Sequence, residues 1–154
     1  MINKQSFVLA ALAVGTLLSA NAGAQAVEGK FRGAYVCEKT PFTRDIPHTP
    51  LDLVIQGNNV QFARPLFNLN GTRVLGSELG TGTIDANGKL HLTSTWTYLG
   101  NTAVGDYSGT LTPSVGTLTG TQTWTGPQNT TPVSRACAAA LVPAPQFAAA
   151  AAPR

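Results

Sequence analysis

From Lys89 to Gly126 the chain changes character at every second side chain, and that period confines it to extended strands. In KLHLTSTWTY, Leu90, Leu92, Ser94, Trp96 and Tyr98 fall on one side; Lys89, His91, Thr93, Thr95 and Thr97 fall on the other. The same reading sets Tyr107, Gly109 and Leu111 against Ser108 and Thr110. It sets Leu118, Gly120, Gln122 and Trp124 against Thr117, Thr119, Thr121, Thr123 and Thr125. Successive strand residues point to opposite faces, so the first set shares an interior and the second a surface. Threonine suits a wetted sheet face, because its branched Cβ fits the extended backbone while the hydroxyl stays hydrated.

The rest of the chain repeats the pattern. A first strand is expected over 31–37, with Gly33, Tyr35 and Cys37 in phase. The connection 38–50 carries Pro41, Pro47 and Pro50 and is read as loop, since proline fixes its own φ and donates no backbone hydrogen bond. Leu51, Leu53 and Ile55 alternate, as do Val60 and Phe62, around a turn at Gly57-Asn58; Pro65 is expected to stop that strand. Asn70-Gly71 marks another turn. Residues 73–84 read as a strand coiled or bulged by Gly76, Gly80 and Gly82. Turns at 85–88, 100–101 and 113–116 separate the later strands, and 133–138 is the last. About eight strands with mostly short connections make an all-β antiparallel meander, closed or nearly closed into a barrel, with a two-sheet sandwich as the alternative. The layout is similar to avidin- and lipocalin-type scaffolds, although no motif specific to either is present.

Outside this domain, taken as 27–138, the chain differs in composition. Lys4, the apolar run 7–18 and the small residues 19–26 have the three-part layout of a secretory signal peptide, with cleavage expected after Ala26 or Ala24. The apolar run is too short to span a bilayer, so the chain is not expected to cross a membrane once the leader is removed. Residues 139–154 are rich in alanine and proline and are read as a disordered tail. In an exported, secreted or periplasmic chain the two cysteines, Cys37 and Cys137, are expected to form a disulfide. In an even-stranded barrel that bond would lie on the closing seam.

Several functions lack their chemistry here. The net charge of +3 reflects scattered basic residues, Arg64, Arg73 and Arg135 among them, with no stripe for nucleic acid. A lipid-facing barrel would need an apolar outer band, and the outer face here is threonine. His48 and His91 have no ligand-spaced neighbours, so no metal or cofactor is expected, and no nucleophile–base motif points to an enzyme. Glu78 is read as solvated at a bulge; the alternative is an interior acid paired with Arg64 or Arg73.

What remains is the inward face, where Trp96, Tyr98, Tyr107, Gln122 and Trp124 combine aromatic walls with hydrogen-bonding groups. Those residues are the candidate site of a non-catalytic binding module for a small or extended ligand. The alternative is an envelope or surface module that contacts a protein partner through the 38–50 loop.

Overall fold

The computed structural model describes residues 27–39, 49–67, 72–98, 100–127 and 129–145. They form a closed antiparallel barrel in which every strand pairs with its neighbours in sequence and the first pairs with the last. The strands are β1 (Gly29–Cys37), β2 (Thr49–Gln56), β3 (Asn59–Phe67), β4 (Val74–Ile84), β5 (Lys89–Tyr98), β6 (Asn101–Leu111), β7 (Gly116–Gly126) and β8 (Asn129–Pro143). The barrel, and not the sandwich, is the architecture.

The turns follow from their residues. Gly57, Gly88 and Gly100 adopt positive φ of 58°, 76° and 77°, a region open to glycine at little cost. Asp85 ties down the β4–β5 turn, its Oδ1 accepting from the backbone amides of Asn87 and Lys89 at 2.8 and 2.9 Å. The expected turn at Asn70-Gly71, the leader 1–26, most of the Pro-rich connection and residues 146–154 lie outside the described residues.

Several boundaries differ from expectation: β1 begins at Gly29 and not at 31, β2 begins at Thr49 inside the segment read as loop, and β8 begins at Asn129 and not at 133. Pro65 does not stop β3, which runs on to Phe67 with Pro65 paired to Ser77. The ladder between β2 and β3 has its last pair at Asp52 and Ala63, so the missing amide falls where the strand is edge-like, a place that tolerates proline. The domain also does not end at Ala138: β8 continues to Pro143, and Ala139 and Leu141 are buried. Alanine has little strand preference of its own, so packing decides. Small Ala139 lies opposite bulky Tyr35, and Leu141 lies opposite Gly33, so large and small side chains alternate across the seam.

The interior is divided along the barrel axis. Toward the end that carries the Gly57, Gly88 and 112–115 turns it is aliphatic and aromatic, with Phe31, Leu53, Ile55, Val60, Ile84, Leu90, Leu111 and Leu141 almost wholly buried. Each such side chain contributes about 1.5–3 kcal/mol by leaving water. The half nearer the β5–β6 and β7–β8 turns is polar. On the closing seam, at the end of β1, Cys37 and Cys137 are register partners joined by a disulfide with an S–S distance of 2.10 Å.

The bond spans a sequence separation of 100, so it removes a large loop-closure freedom from the unfolded chain. Replacing both cysteines by serine should lower unfolding stability by about 2–4 kcal/mol in a urea titration. An unchanged midpoint would mean that the β1–β8 ladder alone holds the seam.

Candidate functional site

Each strand contributes one polar side chain to the upper half of the barrel. Tyr35 comes from β1, Thr49 from β2, Arg64 from β3, Glu78 from β4, Ser94 from β5, Tyr107 from β6, Gln122 from β7 and Arg135 from β8. All are buried, Glu78 and Gln122 completely. Strand register explains how they meet. Ser94, Gly105, Gln122 and Arg135 are partners across β5 to β8, and Arg64 is the partner of Glu78 across β3 and β4.

Glu78 is the hub. Its Oε1 accepts from Ser94 Oγ at 2.5 Å and from the Tyr107 hydroxyl at 3.0 Å. Its Oε2 accepts from Arg64 Nε at 2.9 Å and Nη2 at 2.5 Å, and from Gln122 Nε2 at 3.1 Å. The Tyr107 hydroxyl has a single proton and donates it to Glu78, so in the contact between the two tyrosines Tyr35 is the donor. Arg64 completes its set through Nη1, which donates to Thr49 Oγ1 at 3.3 Å, and its Cζ lies 4.4 Å from the centre of the Tyr35 ring. Glu78 is thus not solvated at a bulge; the register shift in this strand pair lies further along, between Leu66 and Phe67. An unpaired carboxylate in such a place would cost several kcal/mol, which is why so many donors converge on it.

The Tyr107 ring needs room to lie across the wall. A Cβ on Gly120, its register partner, would stand 2.7 Å from Tyr107 Cα and 2.8 Å from Cδ1. A Cβ on Gly105 would strike the far edge of the ring and Ser94 Oγ. Phe62 and Tyr35 hold the ring from the other sides, with centroids 5.9 and 5.8 Å away.

Gln122 passes the network on. Its Oε1 accepts from Arg135 Nε at 2.9 Å and Nη2 at 2.5 Å, and from Trp124 Nε1 at 2.9 Å. Arg135 therefore bonds a neutral amide where Arg64 bonds a carboxylate. Burial, and then the positive charge of Arg64, hold the Arg135 guanidinium below the usual arginine range. Its Cζ sits 4.9 Å from the centre of the Trp124 ring, and Trp96 meets that ring edge-on with centroids 4.6 Å apart. Arg135 Nη1 and Trp96 Nε1 are buried and have no hydrogen-bond partner among the described residues.

The candidate residues thus separate into two groups. Tyr107 and Gln122 are sealed inside the network and engaged with Glu78. Trp96, Ala103, Trp124 and Val133 form the next rung toward the β5–β6 and β7–β8 turns, and Tyr98 lies beyond it, half-buried like Trp124. The Cys37–Cys137 bond forms the neighbouring seam. Of the alternative interaction loop, residues 40–48 lie outside the described residues, and Thr49 and Pro50 belong to β2. Reading by residue type misses Arg135 and Thr49, and reaches Arg64 only through the alternative pairing with Glu78, which is the one the structure has. Phase alone would have found the arginines, since Arg64 follows Val60 and Phe62 by twos and Arg135 precedes Cys137 by two.

A broad open depression of about 780 Å³ lies elsewhere, at the opposite end of the barrel. Asn58, Asp85, Lys89, His91, Ser108 and Thr119 are among its lining residues. All of these are solvated, His91 already pairing with Asp106 through Nε2 at 2.9 Å, so the depression offers no convergent buried groups. The aromatic end is the better candidate. Among the described residues no three His, Cys, Asp or Glu side chains cluster as metal ligands do.

Fold and site together define an eight-stranded barrel, aliphatic at one end, with a buried charged layer beneath an aromatic rung at the other. No protein-family model, curated protein or solved structure matches the chain.

Glu78→Leu should destabilise the protein by about 3–5 kcal/mol, because Arg64 is then left buried without a counter-charge. The double variant Arg64→Met/Glu78→Leu should cost less than the single one, measured as a denaturant-unfolding cycle. Alkaline pH gives a second test. Burial, reinforced by the Glu78 charge, pushes the Tyr35 hydroxyl from 10.0 up to about 12, and the same causes raise Tyr107. The folded state then retains these protons after the unfolded chain has lost them. Stability should be level below about pH 10 and fall between there and about pH 12, less steeply in Tyr107→Phe, as followed by urea midpoints.

Proposed function

We propose that this protein is a non-catalytic binding module that holds a small ligand at the aromatic end of the barrel, against Trp96, Tyr98 and Trp124. The observation that carries this reading is the asymmetry of the interior. One half is filled by aliphatic side chains, while the other sets half-buried aromatic rings over a layer of fixed hydrogen-bonding groups. Flat apolar walls with a few placed polar groups are the usual make-up of a ligand pocket, and a barrel of this size has room for one small ligand. Tyr107 and Gln122 belong to the site as bracing that fixes the Trp124 indole. The Glu78 carboxylate is fully engaged by Arg64, Ser94, Tyr107 and Gln122, which suits a structural anchor better than a general acid or base. The disulfide and the leader-like residues 1–26 support a periplasmic or secreted location for this activity.

The chain has two tryptophans, both in the proposed site, so its emission reports on that place alone. Titrating the oxidised protein with a panel of neutral and charged metabolites should shift the emission and raise the melting temperature for at least one member. Trp124→Ala should weaken that binding about tenfold or more. A panel in which no compound moves either readout would rule out the small-ligand reading.

A further inference from the structure

Resting on the binding reading above, we infer that the ligand is a small organic monoanion whose carboxylate is received by Arg135 Nη1 and Trp96 Nε1, with its apolar body lying toward Trp124 and Tyr98. Three observations converge on this. The buried layer holds the cations Arg64 and Arg135 against the single carboxylate of Glu78, so it carries one positive charge in excess among the described residues. That excess is located: Arg64 is matched by Glu78, whereas among the described residues the acceptor bonded to Arg135 is the neutral Gln122 amide. Finally, the two buried donors left without a partner among those residues, Arg135 Nη1 and Trp96 Nε1, belong to groups that both pack on the Trp124 ring.

Buried donors are rarely left unmatched, and a buried cation calls for an anion more strongly than for a neutral acceptor. A monoanion brings the layer to neutrality; a dianion would overshoot and would be costlier to strip of water. Aromatic rings beside the donors favour a flat or apolar body attached to the acid. Phenylacetate fits that description, and phenylacetamide has the same shape without the charge.

The test uses the oxidised full chain and those probes. In ¹H–¹⁵N spectra the two indole resonances are assigned by their loss in Trp96→Phe and Trp124→Phe. Phenylacetate should shift the Trp96 indole resonance and bind at least tenfold more tightly than phenylacetamide by calorimetry. Trp96→Phe keeps an aromatic ring and removes the donor, and should weaken phenylacetate about tenfold and phenylacetamide, whose carbonyl is the weaker acceptor, by clearly less. Arg135→Gln should abolish the preference for the acid; should that variant not fold, the Trp96→Phe comparison decides alone. Equal or tighter binding of the amide, or an unmoved Trp96 resonance, would overturn the inference while leaving a binding module intact. Binding of other, neutral members of the metabolite panel with neither probe bound would also overturn it. A protein that binds nothing in either set overturns both readings.

Discussion

A carboxylate buried without exposure is the constraint around which this barrel is arranged. Glu78 can be there only because Arg64, Ser94, Tyr107 and Gln122 all reach it. Those partners can reach it only if β3, β5, β6 and β7 stand in the observed register. A slip of one residue in any of these strands would turn its polar partner to the outside and bring in a threonine or an exposed residue instead. The aliphatic half of the interior has no comparable selectivity, since leucine, isoleucine and phenylalanine tolerate one another in many arrangements. The polar layer therefore supplies specificity and the apolar half supplies most of the burial, a division consistent with the modest net worth of buried ion pairs.

Much of the fold could be read from side-chain alternation, and the strand β5 matches the expected 89–98 end to end. The site was less legible, for a reason that can be stated residue by residue. Arg64 and Arg135 occupy inward phase, but arginine is a surface residue by habit, so type and position disagree; Arg64 enters the reading only as one of two possible partners for Glu78, and Arg135 not at all. Glu78 sits among glycines, whose lack of side chains erases the alternation that would have shown its facing. In β8 the stretch after Ala138 is Ala139, Ala140, Leu141, Val142 and Pro143, and two alanines leading to a proline leave too short a run for a local signal to announce a strand. Only the neighbours do: Tyr35 needs something small beside it and Gly33 something large. The unexpected features are those that depend on residues distant in sequence.

The aromatic rung has a different relation to the core than a surface patch would. Trp124 is tied by its own nitrogen to Gln122, which is tied in turn to Glu78, so the wall of the proposed site is continuous with the scaffold. Tryptophan carries its contact area on few rotatable bonds, and a hydrogen bond at the indole nitrogen removes most of the remaining freedom. A binding surface fixed in this way loses little entropy when it is occupied. Trp96, whose nitrogen has no such tie, is the more adaptable of the pair.

The pairing of β1 with β8 carries a kinetic implication. Each of the strands β2 to β8 can zip onto a neighbour across a short connection, but the β1–β8 seam must wait for segments at opposite ends of the domain to find each other. Contacts of such long range slow the search for the native state. Until it completes, the rims of β1 and β8 are open to other chains, with alanine and valine side chains such as Ala34, Val36, Ala138, Ala140 and Val142 beside them. An oxidant that acts only when the two thiols are adjacent would make this last step hard to reverse, turning a transient ring into a permanent one.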